Sequence, residues 1–223
     1  MSDLIEQGLQ FWEQQKYEKA AQAFNDYIET YPDDPVGYTN FGNLLTTMQQ
    51  PEKALNFYHR ALQLDETHAP AYYGYGNTLF NSGEYHEAIK QYTETISHGF
   101  EDGDVHYMIG QAYSNLGQAL MALVHFQRSL EWRPDDTEAR FQYGLCLSKT
   151  GYVDMAVQQW NHVISEQPEH ADAFYNLGVA YSYKDDTEAA KNYFSQALAI
   201  QEDHMLASHA LKQLVKNQQN NES

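Results

Sequence analysis

The sequence predicts an all-α solenoid, a row of helical hairpins that bury a continuous core only by stacking on their neighbours. Three observations carry that prediction. Glycines at 8, 42, 76, 110, 144 and 178 stand 34 residues apart, without insertion or deletion. Twelve residues after each glycine comes an alanine, four further on an aromatic, and four beyond that an isoleucine or leucine; in the last copy these are Ala190, Phe194 and Leu198. Steps of four mark one face of a helix. Turn signals split each copy in two, as in MQQP (48–51), SGEY (82–85) and KTGY (149–152).

The elements follow in chain order. Copies at 1–34, 35–68, 69–102, 103–136, 137–170 and 171–204 each read as helix A, a short turn and helix B. Blocks such as PDDP (32–35) and RPDD (133–136) precede a new helix A, where aspartate caps orphan N–H groups and complements the dipole. Residues 205–217 predict a capping helix, with Leu206, Ala210, Leu211 and Leu214 on the face that covers the last copy. The array is expected as one domain, 1–217, and the polar stretch 218–223 as a disordered tail. Each helix-interior glycine costs about 1 kcal/mol against alanine. Close approach of helix A to helix B is the expected return, with small Ala190 the counterpart of Gly178.

Composition bounds the function. Hydrophobic residues make up 42 % of the 223, enough for a sizeable core, and 31 acids against 13 bases give a net charge of −18. That balance argues against nucleic acid and anionic membranes as partners. No apolar run approaches the ~18 residues of a membrane span. MSDLIEQGLQ lacks a basic stretch followed by an apolar one, so no signal peptide is expected. The single cysteine, Cys146, fits a reducing compartment, and the expected location is cytoplasmic.

Nothing in the sequence assembles a catalytic constellation. No pair among the ten histidines has the i, i+4 spacing of a zinc helix, so surface or turn histidines are expected, with no metal and no cofactor. Cys146 sits inside a predicted helix A without an adjacent base and reads as a buried thiol. The glycine pair in SHGFEDGD (97–104) lacks the lysine of a phosphate loop. The expectation is a protein that is not an enzyme.

The 34-residue period with large, small and aromatic residues at these offsets resembles the tetratricopeptide repeat (TPR). DDTEARFQYGLCL and HADAFYNLGVAYSYK resemble the small all-TPR YrrB-type proteins of Gram-positive bacteria. The resemblance implies a right-handed superhelix with the A helices lining a concave groove. It also implies that the second, fifth, ninth, twelfth and thirteenth positions of each copy face that groove. The fifth position holds Tyr73, Tyr107, Phe141 and Tyr175 in four consecutive copies, and the ninth holds Asn43, Asn77 and Gln111. Phe80 comes from the twelfth, and Asn81, Asn115, Lys149 and Tyr183 from the thirteenth.

An amide both donates to and accepts from a peptide backbone, and aromatics dominate binding hot spots. The expected function is an adaptor or scaffold that holds an extended, non-acidic protein segment. Two further readings stand beside the site itself: the aromatics pack against the neighbouring helix A, and the amides are solvated polarity. The fifth position is never basic, so the carboxylate clamp of chaperone-binding TPR domains is not expected. The adaptor is expected to be a monomer or weakly self-associating; rival functions are a self-assembling structural repeat protein and, less favoured, a helical-repeat RNA binder.

Overall fold

The structure, a computed structural model, describes residues 3–221, with side chains through 216. Thirteen helices and no strand lie among the described residues. The A helices are α1 (Asp3–Glu13), α3 (Pro35–Thr47), α5 (Ala69–Asn81), α7 (Gly103–Asn115), α9 (Thr137–Lys149) and α11 (Ala171–Tyr183). The B helices are α2 (Tyr17–Thr30), α4 (Pro51–Leu64), α6 (Tyr85–Ser97), α8 (Ala119–Trp132), α10 (Val153–Glu166) and α12 (Thr187–Ile200), and α13 (Met205–Asn221) follows. Helix therefore continues through four residues of the expected tail; Glu222 and Ser223 lie outside the described residues.

Two compact units divide between Gly117 and Gln118, inside the turn of the fourth copy. In the first unit, Phe24 on α2 packs with Ile5 on α1 and Leu44 on α3. The pattern repeats for Tyr58 with Leu45 and Ala71, and for Tyr92 with Leu79 and Ile109. In the second unit Trp160 packs with Leu147 and Leu177, and Phe194 with Phe174 and Ala207. Each of these five clusters takes one B helix, the A helix before it and the helix after it, so these five hairpins do not bury their aromatics alone.

These contacts identify the partner of the helix-interior glycine, and it is not the alanine. A Cβ on Gly178 would stand 2.6 Å from the ring of Phe194, and one on Gly76 would stand 2.6 Å from the ring of Tyr92. The aromatic sixteen residues downstream lies across the bare backbone, while Ala190 is fully buried elsewhere in the same seam. Burying a large side chain contributes roughly 1.5–3 kcal/mol. That outweighs the ~1 kcal/mol helix cost of one glycine.

The fifteenth residue of every copy is left-handed: Gln15, Gln49, Gly83, Gly117, Gly151 and Asp185 have φ between 57° and 89°. In the first, second, third, fifth and sixth copies the next residue closes the turn with a backbone bond to the residue five before it, as in Glu84 N–H to Leu79 O at 2.9 Å and Tyr152 N–H to Leu147 O at 2.8 Å. This is the Schellman ending that glycine favours.

The residue before each A helix is its N-cap. Asp34, Asp102 and Asp136 accept from backbone N–H groups at 2.9 Å, as the acid-rich blocks predict. The same register places His170 and His204 at caps, where Nδ1 accepts from Ala173 N and Ala207 N at 3.2 Å. His204 is buried, with Nε2 3.1 Å from Asp172 Oδ1, and buried His106 lies 2.9 Å from Glu101 Oε1. His204 is a turn histidine, as expected, while His106, inside α7, departs from the expectation of surface or turn histidines; each buries its ring beside a carboxylate.

Candidate peptide-binding surface

In the first unit the ninth-position amides lie on consecutive A helices, and each is tied to the hairpin behind it. Tyr58 on α4 donates its hydroxyl to Asn43 Oδ1 on α3 at 2.7 Å. Tyr92 on α6 donates to Asn77 Oδ1 on α5 at 2.8 Å. Both tyrosines are fully buried, and burial raises both phenol pKa values. A buried hydroxyl without an acceptor would cost roughly 1–3 kcal/mol, so each asparagine supplies a structural bond. Each amide oxygen expected to accept from a ligand backbone therefore already has one of its two lone pairs engaged inside the chain. Neither Nδ2 has a hydrogen-bond partner within the chain, so both N–H pairs are unspent.

Gln111 on α7 instead donates Nε2 to the Tyr107 hydroxyl at 2.6 Å. The aromatic that follows in its copy is Phe126, which has no hydroxyl to donate. Asn115, exposed, bonds back to Gln111 O at 2.9 Å. Phe80 is half-buried against Tyr85, with ring centres 5.3 Å apart. Asn81 is exposed.

The fifth-position aromatics divide between surface and core. Tyr73 is half-buried, its ring 5.9 Å from Tyr92 and 6.2 Å from Phe100. In the second unit Tyr175 lies 5.7 Å from Phe194 and 5.2 Å from His204. Phe141 is a correction: it is 8 % exposed, packed in the core and 4.6 Å from the His170 ring, so it offers a ligand almost no surface. Each of Tyr73, Phe141 and Tyr175 rests on the segment that ends its own copy. Lys149 and Tyr183 are exposed, the latter at 77 %.

A cavity of about 620 Å³ opens where α3 and α5 end and α4 begins, lined by Thr46, Thr47, Gln49, Pro51, Thr78, Asn81 and Ser82. Thr46 and Thr78, not singled out in the sequence, meet hydroxyl to hydroxyl at 2.6 Å. Among the described residues no cluster of three or more histidine, cysteine or acidic side chains is arranged to hold a metal. Cys146 is buried, and burial pushes its thiol up to about 11. No described helix is long and apolar enough to cross a membrane.

A tetratricopeptide-repeat family model matches residues 9–169, and a second matches 171–204. The chain belongs to the TPR family. Among solved structures this TPR chain is 45 % identical to YrrB, described as a TPR protein with an unusual peptide-binding site. The match covers 86 % of this chain and 99 % of YrrB, with a TM-score of 0.80. MamA matches at 23 % identity over 75 % of this chain and 92 % of its own, TM-score 0.70. PilF of Pseudomonas aeruginosa matches at 18 % over 92 % and 94 %, TM-score 0.79. The last two show the fold alone. No curated protein matches the chain.

Members of this family are protein-interaction modules, and the fold of this one is their helical solenoid. The feature that sequence reasoning missed is the tyrosine–asparagine pair. Its signal is a covariation inside the chain: tyrosine follows asparagine by fifteen residues in the second and third copies. Leu9, Leu145 and Val179 stand at the asparagine position where Phe24, Trp160 and Phe194 follow.

Proposed function

We propose that the chain is a non-catalytic adaptor whose A helices hold an extended segment of a partner protein. The observation that carries this reading is the unspent side-chain N–H pair on both half-buried Asn43 and Asn77. Each amide is fixed through its oxygen by a buried tyrosine behind it, and its two donors have no partner within the chain. Preset donors on adjacent helices suit the carbonyls of an extended backbone and lose little side-chain entropy on binding. Tyr73, Phe80 and Tyr107 supply half-buried aromatic surface alongside. The 45 % identity to a TPR protein with a peptide-binding site supports the same reading. With a net charge of −18, the segment is not acidic. In the second unit Tyr175, Lys149 and Tyr183 remain candidates for contact.

A displayed peptide library panned on the full chain tests this. Asn77→Asp keeps an acceptor for Tyr92 but removes both N–H donors. Enriched segments that lose binding to Asn43→Asp and Asn77→Asp support the reading; binding that both variants leave intact contradicts it.

Self-association is a second reading, favoured by one feature of α8. Leu120, Met121 and Val124 are 45–64 % exposed. The same positions hold Glu18, Lys19 and Gln22 in the first copy and Glu52, Lys53 and Asn56 in the second. Light scattering across a concentration series separates the readings; a strict monomer removes this one.

A further inference from the structure

Four hydroxyls line the cavity at the ends of α3 and α5, and each has its hydrogen spent inside the chain. Thr47 donates to Asn43 O at 3.2 Å, Thr78 to Gly74 O at 3.0 Å and Ser82 to Thr78 O at 3.0 Å. Thr46 has Gly42 O at 3.1 Å, Thr78 Oγ1 at 2.6 Å and Tyr58 Oη at 3.2 Å within reach, and its single hydrogen serves one of them. A hydroxyl carries one donor and two acceptor lone pairs, so what remains for a ligand is acceptor capacity. Two helices end here, each C-terminus carrying about half a negative charge, against one helix start, that of α4 at Pro51, so the helix ends sum to a negative balance. No lysine or arginine lines the cavity to offset it. The Asn81 and Gln49 side chains add amides on the rim, which can turn either an oxygen or an N–H pair to a ligand.

We propose that this cavity receives a cationic group, a lysine ammonium or arginine guanidinium, presented by the segment bound along α3 and α5. The inference rests on the adaptor reading above and names the chemistry of the partner. An ammonium brings donors and no acceptors, which matches four hydroxyls whose own hydrogens are already engaged. A carboxylate would meet hydroxyl lone pairs and a negative balance of helix ends, and an aliphatic group would leave the hydroxyl acceptors unpaired. Asn81, chosen for its groove position, joins the site through this cavity.

The test titrates the full chain with n-butylammonium, methylguanidinium, butyrate and 1-butanol, following backbone amide resonances. Saturable shifts at Thr47, Asn81 and Ser82 are expected with the two cations. Thr47→Val and Ser82→Ala, both on exposed residues, should abolish those shifts while helix content stays unchanged. Equal shifts with butyrate or 1-butanol, or no saturable shift with either cation, overturn the proposal. A library-selected peptide then separates the two readings. Replacing its lysine or arginine by norleucine should weaken binding roughly tenfold, the scale two helix ends supply. A peptide that binds equally well with norleucine overturns the cation site and leaves the groove standing. A library that yields no segment at all removes the groove, and with it the presented cation.

Discussion

Tyr92 and Asn77 show what a single bond decides. The hydroxyl is enclosed, its one acceptor is the amide of the preceding helix, and both residues owe their position to the same 34-residue register. Asn77→Ala leaves that hydroxyl unpaired and should cost roughly 1–3 kcal/mol in denaturant melts, whereas adding Tyr92→Phe should recover part of the loss. Burial raises the phenol pKa of Tyr92 above its ordinary value of 10. A group whose folded pKa is raised contributes stability that is full below its unfolded pKa. Chemical melts should therefore show constant stability from this group up to about pH 10 and a loss above it, and Tyr92→Phe should flatten that alkaline limb. At this scale the sequence was half legible. The register named Asn43, Asn77 and Tyr73 as neighbours of a surface, but residue type alone could not show that the amide oxygens face inward. Phe141 was misplaced for a similar reason: the fifth position touches both groove and core, and the ring of His170 settles which side it takes.

At the scale of the element, the left-handed fifteenth residue is the feature most open to test. Glycine fills it in three copies and Gln15, Gln49 and Asp185 in the others. A left-handed conformation costs a non-glycine residue about 1–2 kcal/mol, partly offset by the greater unfolded-state freedom of glycine. Gln49→Gly should raise the melting temperature by a few degrees, and Gly83→Ala, with open space around its Cα, should lower it through backbone strain alone. Gly178→Ala should also destabilise, by roughly 1–3 kcal/mol, because the new methyl meets the Phe194 ring and the seam must shift. Two glycines, two mechanisms: the sequence shows both residues and neither reason. Helix positions were legible because periodicity and turn residues act locally. The glycine's true partner was not, because alanine and aromatic both recur at helical spacing and only packing geometry chooses between them.

For the whole molecule, the repeat implies that stability is a sum of hairpin and interface contributions. In the second unit α13 closes the series: Ala207, Ala210, Leu211 and Leu214 pack on the cluster around Phe174 and Phe194. Truncation before Met205 should expose that cluster, lower the melting temperature and make α11 and α12 the first helices to exchange amide hydrogens. Membership of the TPR family was readable from the period alone. What the chain holds is a matter of three-dimensional donors and acceptors, and there the central claim is that the A helices of the first unit form the binding surface. Hydrogen exchange of the full chain with and without a library-selected peptide tests it most directly. The account predicts added protection in α3, α5 and α7; protection confined to the B helices or to α8 would contradict it.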